Sequence, residues 1–436
     1  MPDAHDLKPG EAAARVLIVG AGFVGLNAAK ALGNRPGVEV TVLDRQNHHL
    51  FQPLLYQVAT AGLSPADIAA PIRSILSHYR NIRVLQGAAQ AVDVAARSVA
   101  TDIGELTYDY LILACGATHA YFGHEEWEAS APGLKSLSQA TEIRRRVLSA
   151  FEAAEWNTDA ACHQRLLTFV IVGAGPTGVE LAGAIGEMSR YTLARDFRNI
   201  DSRQARVVLV EAGPRVLPTF SADLAQRAQR DLEALGVQVR LSCKVTGVDE
   251  RGVAMGAESI EAATILWAAG VRASDIGASL GIERDNSGRV PVGPDLTLAG
   301  HREVFIAGDL ARCKDLGHDR LLPGVAQAAI QEGIYIGHTI LGDLQGRARQ
   351  PFHYHDKGQL ATIGHKRAIC ELGRLHIAGR MAWWLWLVVH IYSLTGFRNR
   401  LSVMLQWAWS YFTFGRGARL IVAREWREYG ASDERR

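Results

Sequence analysis

The sequence contains few cysteines, and they are far apart. The five are Cys115, Cys162, Cys243, Cys313 and Cys370. They form no CxxC or CxxxxC pair, which argues against a cysteine metal cluster and a redox-active short-loop disulfide. We therefore expect no metal site, and we interpret each cysteine as a small core residue.

A second absence is that of a long apolar run. No segment approaches the ~20 residues that a membrane-spanning helix needs. The first dozen residues are polar and alanine-rich, without a basic start or a signal-peptide apolar segment. We expect a disordered N-terminus over 1–14 and a protein body in the cytoplasm. The 436 residues, 48% of them hydrophobic, and a net charge of +2 fit a globular chain of two or three domains.

Two glycine-rich turns carry the strongest signal. Their glycines are Gly20, Gly22 and Gly25 in GAGFVG, and Gly173, Gly175 and Gly178 in GAGPTG. Each turn follows a strand-like apolar run and opens an alanine-rich, helix-like stretch. In that setting the first glycine makes the bend, the second admits a pyrophosphate, and the third lets helix pack on strand. The helix N-terminus then favours the phosphate charge. The chain is predicted to bind two dinucleotides.

An acidic residue ends the next strand-like run after each turn. Asp44 follows the first turn at the spacing typical of a carboxylate that binds an adenosine ribose. Glu211 follows the second turn at a longer spacing. A carboxylate there suits a 2′-hydroxyl and repels a 2′-phosphate, so we expect NADH rather than NADPH, although Arg215 lies nearby.

The strand-like runs suggest an α/β fold with two Rossmann-like dinucleotide-binding domains. A run at 108–116 ends in Gly116, and the run at 263–270 repeats its pattern in the second unit. A later run at 304–310 ends in Gly308 and Asp309 and fits a return into the first unit. The first domain, for FAD, is thus predicted to be discontinuous, with the NADH domain inserted in it. The predicted bounds are 15–164 and 291–350 for the FAD domain, 165–290 for the NADH domain, and 351–436 for a C-terminal region.

The segment 322–333 is predicted to form a helix near the flavin. Pro323 and Gly324 suit its start, and Gln327 and Gln331 are four residues apart, hence on one face. An N-terminus directed at the flavin C2 carbonyl would stabilise negative charge on the reduced ring.

The C-terminal region differs in composition from the rest. Residues 381–394 are almost all apolar, and residues 401–414 place Ser402, Gln406, Ser410 and Thr413 on one helical face. Six of the nine tryptophans follow residue 380, and twelve Lys and Arg against five Asp and Glu follow residue 364. These features predict two amphipathic helices that lie on an anionic bilayer surface. A dimer interface is the alternative, and the two are compatible.

Taken together, these residues resemble the type II NADH dehydrogenases, single-subunit NADH:quinone oxidoreductases of the two-dinucleotide-binding flavoprotein superfamily. The resemblance covers nearly the whole chain. Its most specific parts are DRQNHHLFQPLLYQVA at 44–59, GAGPTGVELAG at 173–183, AQAAIQ at 326–331 and GFRNRL at 396–401.

The resemblance implies hydride transfer from NADH to FAD and two-electron reduction of a membrane quinone. It implies that Gln327 and Gln331 line the quinone site, and that Glu180 lies on the nicotinamide and quinone side of the flavin. Lys357 is similar to a family lysine near the quinone pocket. We expect no proton pumping, a peripheral position on the cytoplasmic face of the inner membrane, and no nucleic-acid partner.

Three other functions are compatible with parts of the sequence. A sulfide:quinone oxidoreductase would need a pair of redox cysteines. It would not need the second glycine turn, which is predicted to bind NADH. A soluble flavin NADH oxidase leaves the tryptophan-rich tail unexplained. A membrane-associated flavin redox sensor, which is not an enzyme, would keep both nucleotide sites without turnover.

Overall fold

The structure is a computed structural model that describes residues 13–315, 317, 320–394, 397–413 and 417–421. The predicted disorder of residues 1–12, Gly396 of the GFRNRL motif, and the side chains of Ser410 and Thr413 lie outside the described residues. Contacts within the chain divide it into two units. Unit 1 comprises 13–50, 70–118 and 271–357, and unit 2 comprises 51–69, 119–270 and 358–421.

The secondary-structure elements alternate along the chain. The helices are α1 (Phe23–Leu32), α2 (Leu55–Ala59), α3 (Pro65–Ile68), α4 (Ile72–Leu76), α5 (Trp127–Ser130), α6 (Leu137–Trp156), α7 (Ala160–Leu166), α8 (Pro176–Glu187), α9 (Ala222–Ala234), α10 (Ala326–Leu344), α11 (Arg380–Ser393) and α12 (Phe397–Thr413). The strands are β1 (Ala14–Val19), β2 (Val38–Asp44), β3 (His48–Leu50), β4 (Ala69–Pro71), β5 (Ile82–Gln86), β6 (Ala89–Asp93), β7 (Ser98–Thr101), β8 (Gly104–Thr107), β9 (Tyr110–Leu113), β10 (Ala117–His119), β11 (Thr168–Val172), β12 (Arg206–Val210), β13 (Val237–Arg240), β14 (Gly247–Val248), β15 (Gly252–Met255), β16 (Glu258–Glu261), β17 (Thr264–Trp267), β18 (Val271–Ala273), β19 (Val290–Pro291), β20 (Thr297–Leu298), β21 (His301–Ile306), β22 (Ala311–Arg312), β23 (Lys314–Asp315), β24 (Arg320–Leu321), β25 (Gln359–Gly364), β26 (Arg367–Leu372) and β27 (Leu375–Ala378).

Unit 1 is built on a sheet of order β20-β21-β9-β1-β2-β5, parallel except for β20. One face buries side chains of α1 and α10, and the other packs on the meander β6-β7-β8. The pairing of β21 with β9 confirms the predicted late return of the chain into its first unit.

Unit 2 contains a parallel sheet of order β13-β12-β11-β17. All residues of β11 and β17 are buried, as expected for a parallel sheet covered on both faces. The meander β25-β26-β27 belongs to the same unit and packs on α8, where a Cβ at Gly183 would lie 1.8 Å from the Ile363 carbonyl oxygen. The α/β fold with two Rossmann-like units is therefore confirmed.

The predicted helices of the tail are present, with one boundary corrected. Helix α11 matches the segment 381–394 closely, whereas α12 begins at Phe397, four residues before the predicted start. Residues 397–401 of the GFRNRL motif thus belong to α12. Within the described part of the chain, no helix is both long and apolar enough to cross a membrane.

Candidate functional site

The first glycine turn, between β1 and α1, leaves no room at its two ends. Gly20 has φ +100°, and a Cβ there would lie 2.3 Å from the Ala114 carbonyl oxygen. A Cβ at Gly25 would lie 1.8 Å from the carbonyl oxygen of Gly20. At Gly22, in contrast, a Cβ would meet no atom within 4 Å. The outer glycines therefore serve packing, and the middle one borders open space.

The second turn, between β11 and α8, repeats this arrangement in unit 2. Gly173 has φ +99°, and a Cβ at Gly178 would lie 1.8 Å from its carbonyl oxygen. A Cβ at Gly175 would again meet nothing within 4 Å. The two turns therefore have the same backbone geometry.

Each open glycine is also the N-cap of a helix. No side chain of the described residues caps α1 at Gly22 or α8 at Gly175. The first amides of a helix lack intrahelical partners and attract anions. Open space beside uncapped amides is what the pyrophosphate of a dinucleotide requires, so both turns fit such a group.

Asp44 is held against the first turn. One of its carboxylate oxygens accepts a hydrogen bond from the Ala21 amide at 2.6 Å, and the other accepts from the Gln46 amide at 2.7 Å. A carboxylate offers about four acceptor positions. Asp44 can therefore keep both backbone bonds and still accept a ribose hydroxyl.

Glu211 occupies the corresponding place in unit 2. Its two oxygens accept from the Ala174 amide at 2.6 Å and the Gly213 amide at 2.7 Å. Arg215 donates from its guanidinium to the Pro218 carbonyl at 2.7 Å. The longer sequence spacing of Glu211 has thus not changed the local geometry.

Three neighbouring strands of unit 1 bring the other predicted FAD contacts to one sheet edge. Because β1, β9 and β21 are parallel neighbours, their carboxyl ends lie side by side. Gly20, Gly116 and Gly308 follow these ends, and all three have positive φ. Asp309 follows Gly308 in a short 3₁₀ turn. Gly116 and the Gly308–Asp309 turn therefore adjoin the first glycine turn.

Helix α10 carries both predicted glutamines, and both hold the segment 355–357. The Gln331 side chain donates to the His355 carbonyl at 3.0 Å and accepts from the His355 amide at 2.9 Å. The Gln327 side-chain oxygen accepts from the Lys357 amide at 3.3 Å. The structure thus brings three of the four predicted catalytic residues together, and the Lys357 side chain is exposed.

The fourth, Glu180, lies in α8 of unit 2. The residue is half-buried, and desolvation of its carboxyl raises its pKa well above the usual range, although a backbone hydrogen bond from Thr362 acts the other way. Burial thus disfavours the ionised form of this carboxyl relative to a solvated one. Glu180 is therefore not an ordinary solvated helix charge.

His49 lies within the motif at 44–59, and the sequence pattern gives it no role. It is 3% exposed, its Nδ1 lies 2.9 Å from the Ala21 carbonyl oxygen, and its ring meets Phe23 edge-on at 5.3 Å. Burial lowers the pKa of His49 to about 4. It therefore supports the first glycine turn as a neutral imidazole that donates through Nδ1.

The cysteines are all within the described residues, and all are free thiols. Cys313 and Cys370 are buried, and the other three are half-buried. Burial raises the pKa of Cys115 and of Cys313 to about 12. Neither forms the thiolate that redox catalysis needs at neutral pH.

Asp67, which the sequence did not single out, joins α12 to the rest of unit 2. Its carboxylate is 8% exposed and accepts from the Ser402 hydroxyl at 2.9 Å and the Gln406 amide group at 3.0 Å. The Trp407 indole donates to the Gln57 side-chain oxygen at 2.8 Å. The polar face of α12 is therefore directed inward.

The remaining faces of the two tail helices expose large apolar side chains. These are Met381, Trp384, Val388, Val389 and Tyr392 on α11, and Leu401, Met404 and Leu405 on α12. Their exposed fractions range from 38% for Val389 to 76% for Tyr392. Clustered apolar exposure of this kind marks a membrane or protein interaction surface.

Comparison with known proteins matches this arrangement. The pyridine nucleotide-disulphide oxidoreductase family matches residues 14–333, and the NDH2 C-terminal domain matches residues 356–417. Two relatives from Mycobacterium tuberculosis, the type II NADH:quinone oxidoreductases NdhA and Ndh, are 46% and 43% identical. Both alignments cover 94% of this chain, with 90% and 91% of the relatives. The structure of NDH2 from Plasmodium falciparum in complex with NADH has a TM-score of 0.85 at 18% identity, covering 94% of this chain and all of that one.

Proposed function

The chain belongs to the type II NADH:quinone oxidoreductases, and we propose that it transfers two electrons from NADH through FAD to a membrane quinone without pumping protons. The observation that carries this proposal is the repeated turn. Each unit has its own open glycine, a helix without a side-chain cap, and a carboxylate bonded to the glycine turn. Each such set of glycine turn, helix N-terminus and carboxylate is called a cradle below. Two cradles are needed when one dinucleotide stays bound and a second one delivers electrons.

The first cradle is assigned to FAD and the second to NADH. The residues that hold FAD are Gly20, Gly22, Gly25, Asp44, Gly116, Gly308 and Asp309. Those that hold NADH are Gly173, Gly175, Gly178 and Glu211. FAD, when bound, supplies a ring that accepts a hydride and passes on two electrons. The protein orients the reactants, and Glu211 disfavours a 2′-phosphate.

The contacts of Gln327, Gln331 and Lys357 support the roles proposed for them. The glutamine side chains fix the backbone that carries Lys357, whose exposed ammonium group attracts the developing negative charge of a quinone. The Glu180 carboxyl, whose pKa is raised by desolvation, is suited to proton delivery.

The direct test is steady-state oxidation of NADH by purified protein reconstituted with FAD, with and without a short-chain quinone. We expect rapid turnover only when quinone is present. Turnover that depends on sulfide would support a sulfide:quinone oxidoreductase, and equal turnover with oxygen alone would support an NADH oxidase. A flavin that NADH reduces without turnover by quinone would indicate a redox sensor.

Replacement of Gln331 by Leu tests the glutamine contacts. Leucine cannot bond the His355 backbone, so two hydrogen bonds that fix the segment 355–357 are lost. We expect quinone reduction to slow about tenfold, while NADH reduces the flavin at the normal rate, as followed by stopped-flow absorbance. Thr339→Val, on the same helix, is the control, and equal slowing of both half-reactions would contradict the role.

We further propose that the apolar surface of α11 and α12 lies on the cytoplasmic face of the inner membrane, at anionic lipids. The exposed side chains enter the interface, and the polar face of α12 is already satisfied by Asp67. Basic residues around these helices favour anionic head groups.

Vesicle sedimentation tests this surface. We expect Val388→Glu combined with Leu405→Glu to abolish binding to anionic vesicles, because both side chains are 59–60% exposed in the apolar surface. Ile103→Glu, at an exposed apolar residue of unit 1, is the matched control. Unchanged binding by the double variant, together with loss of a dimer in analytical ultracentrifugation, would assign the surface to a homodimer instead.

A further inference from the structure

A buried carboxyl lies beneath the turn that follows β21 in unit 1. Glu332 belongs to α10 and is 3% exposed. Its Oε2 accepts a hydrogen bond from the Gly308 amide at 2.7 Å. Burying a carboxyl group costs free energy of folding unless hydrogen bonds compensate. The presence of Glu332 at this position therefore suggests a specific role.

The turn that Glu332 holds is tightly constrained. Gly308 has φ +68°, and a Cβ there would lie 3.1 Å from Cγ2 of Val24 on α1. Helix α10 approaches α1 even more closely one residue after Glu332, where a Cβ at Gly333 would lie 2.2 Å from the Val24 carbonyl oxygen. The carboxyl of Glu332 is thus fixed in its position between helix and turn.

Among the described residues, Asp309 and Cys313 are titratable groups that interact with this carboxyl. Desolvation raises the pKa of Glu332 to about 7, and the charge of Asp309 also raises it. The hydrogen bond from the Gly308 amide lowers this pKa but does not offset the rise. The Cys313 thiol, whose own pKa burial raises to about 12, stays neutral. The negative charge of Glu332 is therefore present at alkaline pH and absent at acid pH.

We propose that Glu332 is a positioning residue for the flavin, which fixes the Gly308–Asp309 turn against the cofactor and whose charge acts on the flavin redox equilibrium. This inference rests on the proposed assignment of unit 1 to FAD. Reduction adds negative charge to the flavin, and a nearby carboxylate makes that addition less favourable. A neutral group of the same shape does not.

Glu332→Gln and Glu332→Ala separate the two effects. Glutamine keeps an oxygen that accepts the Gly308 amide, so FAD affinity should remain within about twofold of the wild type. Alanine leaves the amide without its partner, and we expect FAD to bind on the order of tenfold more weakly. Affinity is measured by fluorescence as the apoprotein is titrated with FAD.

The midpoint potential of the bound flavin, measured against pH, supplies the decisive readout. At pH 8.5 the potential of Glu332→Gln should be more positive than that of the wild type, because the carboxylate is gone. At pH 5.5 the two potentials should converge, since the carboxyl of the wild type is then protonated. Asp315→Asn, which alters another buried carboxyl of unit 1, should leave the potential unchanged at both pH values.

The proposal would be overturned if the midpoint potentials of Glu332→Gln and the wild type differed equally at both pH values, or did not differ at either. It would also be overturned if Glu332→Ala bound FAD normally. Failure of the proposed function looks different. Wild-type protein would then fail to bind FAD, or its flavin would stay oxidised with NADH, before any variant is compared.

Discussion

The two glycine turns have the same backbone geometry, but their surroundings differ. In both, the carboxylate bonds the amide after the first glycine and the amide two residues beyond itself, at matching distances. Unit 1 adds the buried side chains of His49 and Glu332 around its cradle. In unit 2, Arg215, four residues after Glu211 in the sequence, is exposed and donates to the Pro218 carbonyl. The additional contacts around the first cradle suit a cofactor that stays bound. The second cradle, without these two side chains, suits a substrate that leaves.

The largest effect is expected where the turns are identical. Gly25→Ala and Gly178→Ala each place a Cβ 1.8 Å from a backbone oxygen, which no side-chain rotation relieves. Each should reduce the free energy of unfolding by at least about 4 kcal/mol, or prevent folding. Urea denaturation followed by circular dichroism measures this loss.

The middle glycines provide the matched control. Gly22→Ala and Gly175→Ala have open space for the Cβ, so the protein should fold with nearly normal stability. Gly22→Ala should weaken FAD binding, and Gly175→Ala should raise the KM for NADH. If either middle variant unfolded like the outer ones, the division of roles among the three glycines would be wrong.

A smaller effect is expected on the pH dependence of stability, and it arises from His49 in unit 1. Folding lowers the pKa of His49 from 6.5 to about 4. Between those values the unfolded chain binds a proton that the folded chain does not, so stability falls as the pH drops through that interval. The loss attributable to His49 should reach roughly 3 kcal/mol at pH 4.

His49→Gln should reduce this acid sensitivity, since glutamine can donate to the Ala21 carbonyl without titrating. The measurement is the difference in unfolding free energy between pH 7.5 and pH 4.5 for variant and wild type. His48→Gln, in the adjacent position, serves as the control. An acid sensitivity equal in His49→Gln and the wild type would contradict the role of the imidazole.

Much of the fold and of both cradles could be predicted, because the signals are local. An apolar run, a turn with glycines at fixed offsets and a carboxylate at the end of the next strand are read within a few dozen residues. The return of the chain at β21 was predicted for a similar reason, since Gly308 and Asp309 end another buried run. The grouping of the polar side chains of α12 on one face also follows from spacing.

The supporting groups could not be predicted, because their partners are remote in sequence. Asp67 meets Ser402 and Gln406 more than 330 residues later. Glu332 lies within the predicted helix segment 322–333, but nothing local in the sequence indicates its bond to the Gly308 amide, 24 residues earlier. The contacts of Gln327 and Gln331 with the segment 355–357 depend on how that loop returns to the helix.

The smallest expected effect concerns the two carboxylates. In Glu211→Gln, the side-chain amide has one acceptor oxygen, so one of two backbone amides loses its partner and the repulsion of a 2′-phosphate disappears. The ratio of kcat/KM for NADH to that for NADPH should fall about tenfold, equivalent to ~1.4 kcal/mol. Asp44→Asn makes the same change in unit 1 and should weaken FAD retention while leaving that ratio unchanged. If Asp44→Asn altered the ratio and Glu211→Gln did not, the assignment of the two cradles to their dinucleotides would have to be exchanged.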